Sequence, residues 1–305
     1  YSSNLQLRKA VINFLLTFNK ENQSEEIVLI LLTYIDIETD ESIRVQVIKM
    51  ISTTNLVSQE IFTAFQSFLS DSSRKIREHS YSYLNRFLYI PSIKYRITQN
   101  LYQEIKNIRE TNRLMKENVE PFHALCKVSF SESSENSETA LTMLTGFAPF
   151  LIDRILNQSK SLFSSALLTL SYLVQIMPEK VDEKMTLLVD LLSSAMTVHP
   201  TKRFLNAALK LLLESLKYTT LKESIYNEHS LLISKLIQLT KLPKYEISYD
   251  LLFQSLIVVG SVRSSIIPHS KSDDFIINNS SSSSSSIVKV NKKIMSSFTL
   301  ISQST

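Results

Sequence analysis

An aliphatic residue followed by arginine recurs at Leu7-Arg8, Ile43-Arg44 and Ile76-Arg77, in steps of 36 and 33 residues. Each pair opens a stretch whose apolar positions follow a helical period. The second and third also follow an apolar helix and a short polar turn, Asp36 to Asp40 and Ser70 to Ser73. A helical hairpin of this length buries one stripe internally and keeps another that only a neighbouring hairpin can cover. The expected fold class is therefore all-α, an α-solenoid of about six stacked hairpins over residues 4 to 260.

The apolar spacing predicts helices over Glu25 to Ile35, Ser42 to Ser52, Glu60 to Leu69 and Lys75 to Leu88. After Pro91 a longer helix is expected, with Ile93, Ile97, Leu101, Ile105, Ile108 and Met115 on one face. A short helix from Pro121 to Val128 and a polar loop from Ser129 to Ser137 follow. Hairpins then resume: Thr139 to Leu156 with Ser161 to Met177, Val181 to Met196 with Thr201 to Tyr218, and Glu228 to Leu239 with Ile247 to Val259. The domain is expected to end near residue 260. Residues 261–286, with seven serines from Ser280 to Ser286, read as a disordered linker. Residues 287–305 read as a tail or the start of a further element. The chain opens at Tyr1 without a methionine and is read as a fragment.

Composition excludes several functions. There are only two glycines, Gly146 and Gly260. A phosphate-cradling loop or dinucleotide fingerprint needs several, for positive φ and close backbone approach, so both are ruled out. The single cysteine, Cys126, cannot form an internal disulfide and fits a reducing compartment. The expected location is intracellular, cytoplasmic or nuclear. The longest uncharged stretch, Ser161 to Pro178, is interrupted by serines, Thr169 and Gln175. It reads as a buried central helix, and no membrane span is expected.

At the Ile43-Arg44 and Ile76-Arg77 joins the sequence resembles HEAT-type repeats of the HEAT/armadillo superfamily. The stretches are LLTYIDIETDESIRVQVIKMI and FQSFLSDSSRKIREHSYSYL: an apolar helix, a turn with Asp, then an aliphatic-Arg pair. The likeness covers residues 5 to 90, and beyond that it rests on the hairpin pattern. It implies a right-handed superhelix in which Asp and Arg pair between neighbouring repeats. Carried over, that structural role falls to Asp71 and Arg77, and to Asp40 and Arg44. Proteins similar in this way serve as scaffolds, transport receptors, coat components and regulatory arms.

No residue pattern announces catalysis. The five histidines form no pair at metalloprotease spacing, and no serine stands in a Gly-x-Ser-x-Gly elbow. His123 and Cys126 could share a helix face, but a metal needs further ligands that the neighbourhood does not offer. No enzyme activity, cofactor or metal is expected. Charge is more informative. From Arg74 to Lys116 ten basic residues face three acidic ones, while Glu21 to Glu41 is acidic throughout. Lys106, Arg109, Arg113 and Lys116 recur every three to four residues and are expected on one helix face, with Lys94 and Arg96 nearby. The primary expectation is a non-enzymatic scaffold that binds other proteins. One alternative is a nucleic-acid-associated scaffold using that stripe. Another is the regulatory helical arm of a larger enzyme.

Overall fold

The computed structural model describes residues 4–22, 24–130, 135–158, 163–197, 201–243 and 246–266. Among the described residues every regular element is helical. The first eight helices are α1 (Leu5–Asn22), α2 (Glu25–Ile37), α3 (Glu41–Ile51), α4 (Gln59–Ser67), α5 (Arg74–Leu84), α6 (Pro91–Thr111), α7 (Lys116–Ser129) and α8 (Glu135–Leu156). They are followed by α9 (Ser164–Ile176), α10 (Pro178–Asp182), α11 (Met185–Thr197), α12 (Lys202–Tyr218), α13 (Leu221–Ser224), α14 (Ser230–Leu239) and α15 (Tyr249–Ile266). Single 3-10 turns, Phe68–Ser70 and Asn85–Phe87, extend α4 and α5.

The helix starts are written locally. The side chains of Ser24, Asp40, Ser58 and Thr201 each accept a hydrogen bond from the backbone N–H three residues on. Each satisfies a donor the helix itself leaves open, which stabilises by about 1 kcal/mol. Pro91 and Pro178 occupy first helical positions, where a missing N–H costs nothing.

Packing follows chain order. Helices α1, α3, α5, α7, α9, α12 and α15 each lie against the next in that sequence. Beside them α2 packs on α4, and α11 packs on both α8 and α14. The two sets are joined by α2 with α3, α4 with α5, α6 with α7, α8 with α9, α11 with α12, and α14 with α15. One apolar core runs from Ile12 to Val259 through all of them. Ile43, Val47, Ile48 and Ile51, and Ile76, Tyr83 and Leu84, are fully buried. Tyr83 stacks on Phe65 at 4.1 Å between ring centroids, and its hydroxyl donates to the Leu56 carbonyl at 2.6 Å.

Several boundaries differ from the sequence expectation. Pro121 does not start a helix: α7 begins at Lys116 and carries Pro121 inside it, with Asn118, Val119 and Glu120 already buried. The stretch Val181 to Met196 is broken into α10 and α11. Its break is tied down by Asp182, whose carboxylate accepts from the Thr220 N–H at 2.9 Å and the Thr220 hydroxyl at 3.0 Å. Helix α15 runs to Ile266, past the boundary expected at 260. The rest of the expected serine-rich linker, and all of the expected tail, lie outside the described residues. Among the described residues α8 is the one helix long and apolar enough to cross a membrane, judged by length and composition. Half of its most apolar window is buried, and it packs on α7, α9, α10 and α11. Most of the uncharged stretch noted above forms α9, whose Ser165, Thr169 and Ser171 are buried and hydrogen-bonded to backbone carbonyls or covered by neighbours.

Candidate docking face

The three arginines of the recurring joins each reach a carboxylate. Arg8 Nε lies 3.2 Å from Glu38, Arg44 pairs with Asp71, and Arg77 lies 2.9 Å from Glu120. All of these side chains are largely shielded from solvent. In the first two contacts the arginine sits one turn into α1 or α3. The carboxylate sits at the end of α2, or of the turn that extends α4. The third breaks the series. Helix α6 ends at Asn112, which has no negative charge to offer and instead accepts from Arg154 at 2.6 Å. Arg77 therefore takes Glu120 from α7 and shares it with Arg74 at 2.7 Å.

Of the four residues expected to pair between units, Arg44 and Asp71 meet each other. Arg77 reaches Asp71 only through its backbone carbonyl, at 2.8 Å. Asp40 caps α3 instead of meeting Arg44. Hydrogen bonds from the Ser42 hydroxyl and the Ile43 N–H hold its carboxyl below the usual range. The residues missed by sequence reasoning are Glu38 and Glu120. Both are acids that meet an arginine far away in the chain.

The expected basic stripe does not form one helix face. Helix α6 stops at Thr111, and Asn112 adopts a left-handed conformation with φ 49°. Arg113 lies in the corner that follows, and Lys116 opens α7. Asparagine tolerates that backbone region better than other side chains, and there it ends the helical repeat on which the shared face depended. Lys94, Arg96, Lys106, Arg109, Arg113 and Lys116 are all exposed. Lys106 lies 3.8 Å from Glu110, and Arg109 rests over the Phe150 ring at 5.1 Å.

A different surface is concave. Between α5 and α7 an open groove of about 720 Å3 is lined by Glu78, His79, Ser82, Asn85, Arg86, Glu120, His123 and Lys127, among others. Its lining comes from consecutive turns of α5 and its 3-10 extension on one side, and of α7 on the other. The His123 ring lies 6.4 Å from that of Tyr172 on α9, and Lys210 of α12 sits 4.3 Å above the same Tyr172 ring. Lys210 then shares a second hollow with Lys202, Arg203 and Asn206. The groove on α5 and α7 and the hollow on α9 and α12 are thus separate, with the ring contacts of His123 and Lys210 to Tyr172 between them.

Charge on this face is uneven. Glu120 is engaged by Arg74 and Arg77, and Glu78 by Arg74 at 2.8 Å. Lys127, Arg203 and Lys210 pair with no carboxylate among the described residues. Burial, and then the nearby charges of Lys127, Arg203, Lys210 and Arg74, push the His123 pKa down to about 4, so His123 is neutral near pH 7. Burial likewise lowers His79. No family model matches the chain, and no curated protein is similar to it.

The His123 and Cys126 pair does not look out together. Cys126 is fully buried, and its thiol is pushed up by that burial. A buried thiol of this kind packs as a small apolar group. Among the described residues no three of His, Cys, Asp and Glu stand close enough to share a metal.

Proposed function

We propose that the chain is a HEAT/armadillo-type α-solenoid that acts as a non-enzymatic scaffold, docking other proteins along the face built by α5, α7, α9 and α12. The observation that carries this reading is the order of packing. Each helix of that set touches its predecessor and successor, and the paired helices cover its other side. Nearest-neighbour packing of paired helices is the hallmark of an array whose shared surface grows with each unit. The arginine–carboxylate contacts, offset by one unit each, support the same reading. Cations without a carboxylate partner among the described residues beside a concave surface, Lys127, Arg203 and Lys210, give this face a charge that a partner could match.

Nucleic acid as the partner has less support. A polyphosphate is held by several basic side chains that follow its backbone. The α6–α7 corner separates Arg113 and Lys116 from Lys106 and Arg109. The deciding experiment is cross-linking of the full chain in lysate of its source cells, with the linked lysines mapped by mass spectrometry. The expected result is partner links at Lys127, Lys202 and Lys210. Links confined to Lys94, Lys106 and Lys116 would move the docking face to the other side. A parallel titration with single-stranded RNA and duplex DNA is expected to show weak binding that is lost near physiological salt. Tight binding abolished by Arg109→Glu, Arg113→Glu and Lys116→Glu together would replace the protein scaffold with a nucleic-acid one.

A further inference from the structure

Asn85 is the anomaly of the groove. It is 1% exposed, it lies on the groove lining, and neither its carboxamide oxygen nor its nitrogen has a hydrogen-bond partner in the protein. A buried amide with both ends open is costly, and native proteins rarely leave one so. A carboxamide offers a donor and an acceptor side by side, and the group complementary to it is another amide. Its neighbour Arg86 donates from its terminal nitrogen to the Thr54 carbonyl at 2.8 Å and lies over the Tyr83 and Phe87 rings, while its buried Nε has no partner in the protein. Asn136, across the groove, is also satisfied, donating to the Arg86 carbonyl and accepting from the Tyr89 N–H. Open hydrogen-bonding capacity in the groove therefore lies at the adjacent Asn85 amide and Arg86 Nε, and the nearby cations without a carboxylate among the described residues are Lys127, Arg203 and Lys210.

We propose that this groove takes an extended, carboxylate-rich peptide segment of a partner protein. The buried Asn85 carboxamide turns towards one of its backbone amides on binding, while Lys127 in the groove and Arg203 and Lys210 of the neighbouring hollow receive its acidic side chains. This inference rests on the scaffold reading and specifies its partner. A peptide fits better than a nucleic acid on two grounds. Glu78 lines the same groove with its carboxylate half exposed and would repel a continuous phosphate backbone, whereas a peptide can place its acids only where cations stand. The aromatic ring at the centre, Tyr172, is already covered by Lys210 and flanked by Phe130 and His123, so it cannot serve as a stacking platform for a base. An extended segment of twelve residues spans about 40 Å, enough to follow several helices of the row.

The test uses the full chain and a fluorescein-labelled, end-blocked peptide of alternating Glu and Ala, about twelve residues long. An equivalent Lys-Ala peptide and a single-stranded RNA of similar length serve as counter-probes. Anisotropy should show saturable binding of the Glu-Ala peptide and none of the Lys-Ala peptide. Asn85→Leu keeps the shape of the side chain and removes an unsatisfied amide, so its melting temperature should equal or exceed the parent's. Its affinity should fall at least about tenfold. Lys127→Glu with Lys210→Glu, both outside the core, should abolish binding, which keeps the proposal testable should Asn85→Leu misfold. By NMR the His123 pKa, about 4 in the free chain, should rise when carboxylates enter beside Lys127, Arg203, Lys210 and Arg74. Absence of saturable Glu-Ala binding, an Asn85→Leu chain that binds like the parent, or RNA binding in place of peptide binding would each overturn the proposal. The scaffold reading is judged separately. Partner cross-links at Lys127, Lys202 and Lys210 that persist in Asn85→Leu would keep the scaffold and discard the peptide. Cross-links found elsewhere on the parent chain would discard the docking face itself.

Discussion

Arg77 and Glu120 show what a single residue pair does in this molecule. Glu120 is a buried acid, and burial pushes its carboxyl up against the opposing pull of Arg77 and Arg74. Such a pair adds little net stability but is costly to break, because the surviving charge stays buried. Because Glu120 is shared, both cations must go to strand it: Arg74→Met with Arg77→Met should destabilise the protein by about 3 kcal/mol in urea denaturation, and adding Glu120→Met should recover most of that loss. If the double variant is as stable as the parent, the contact is not the rung described here. His123 sets a second residue-scale expectation. Its folded pKa, about 4, lies below its ordinary value of 6.5, so the unfolded chain takes up the proton first. Its contribution is complete above pH 6.5 and is lost as pH falls from 6.5 towards 4. Thermal melts over that range should show a falling melting temperature, and His123→Gln should flatten the slope. An unchanged slope would place the acid sensitivity in other groups.

At the scale of elements, the corner between α6 and α7 is the most instructive. Asn112 holds a left-handed conformation, and its side chain accepts from Arg154. Asn112→Ala keeps the Cβ but loses the short polar side chain that lets asparagine occupy that backbone region, and with it the hydrogen bond from Arg154, and should cost about 1 kcal/mol. Asn112→Gly, which frees the backbone and loses only the hydrogen bond, should cost less. An alanine variant that unfolds at the parent's urea concentration would mean that the corner is not held by this residue. The same corner shows what the sequence could reveal. Helix starts were legible wherever a side chain caps its own backbone, as at Asp40, Ser58 and Thr201, because all the information lies within four residues. Pro121 misled, since a proline reads as a first helical residue and nothing local shows that Val119 and Glu120 are already covered. The break before α11 depends on Thr220, far along the chain from Asp182. The site followed the same rule. Arginines at regular spacing were visible, but their carboxylates were not, because Glu38 and Glu120 follow no motif. The unsatisfied amide of Asn85 is a property of its surroundings and leaves no trace in the sequence.

At the scale of the whole molecule, stability should vary along the chain, because each helix depends mainly on its neighbours. Helices α9 and α12 bury long apolar faces against each other at the centre of the row. Helix α1, by contrast, leaves Leu7, Val11 and Phe14 about half exposed or more. Native-state hydrogen exchange should protect α9 and α12 most and release α1 first. Uniform protection across all helices would show instead a single cooperative unit. Among the described residues the buried charged rungs lie between Arg8 and Glu120, whereas the seams among α9, α12 and α15 are lined mainly by leucines, alanines and valines without them. A charged rung fixes both distance and direction, while an apolar seam can slide by small amounts at little cost. Pulled or twisted, this molecule should therefore behave as a stiff rod joined to a compliant spring, with most of its elastic give in the half that follows α7.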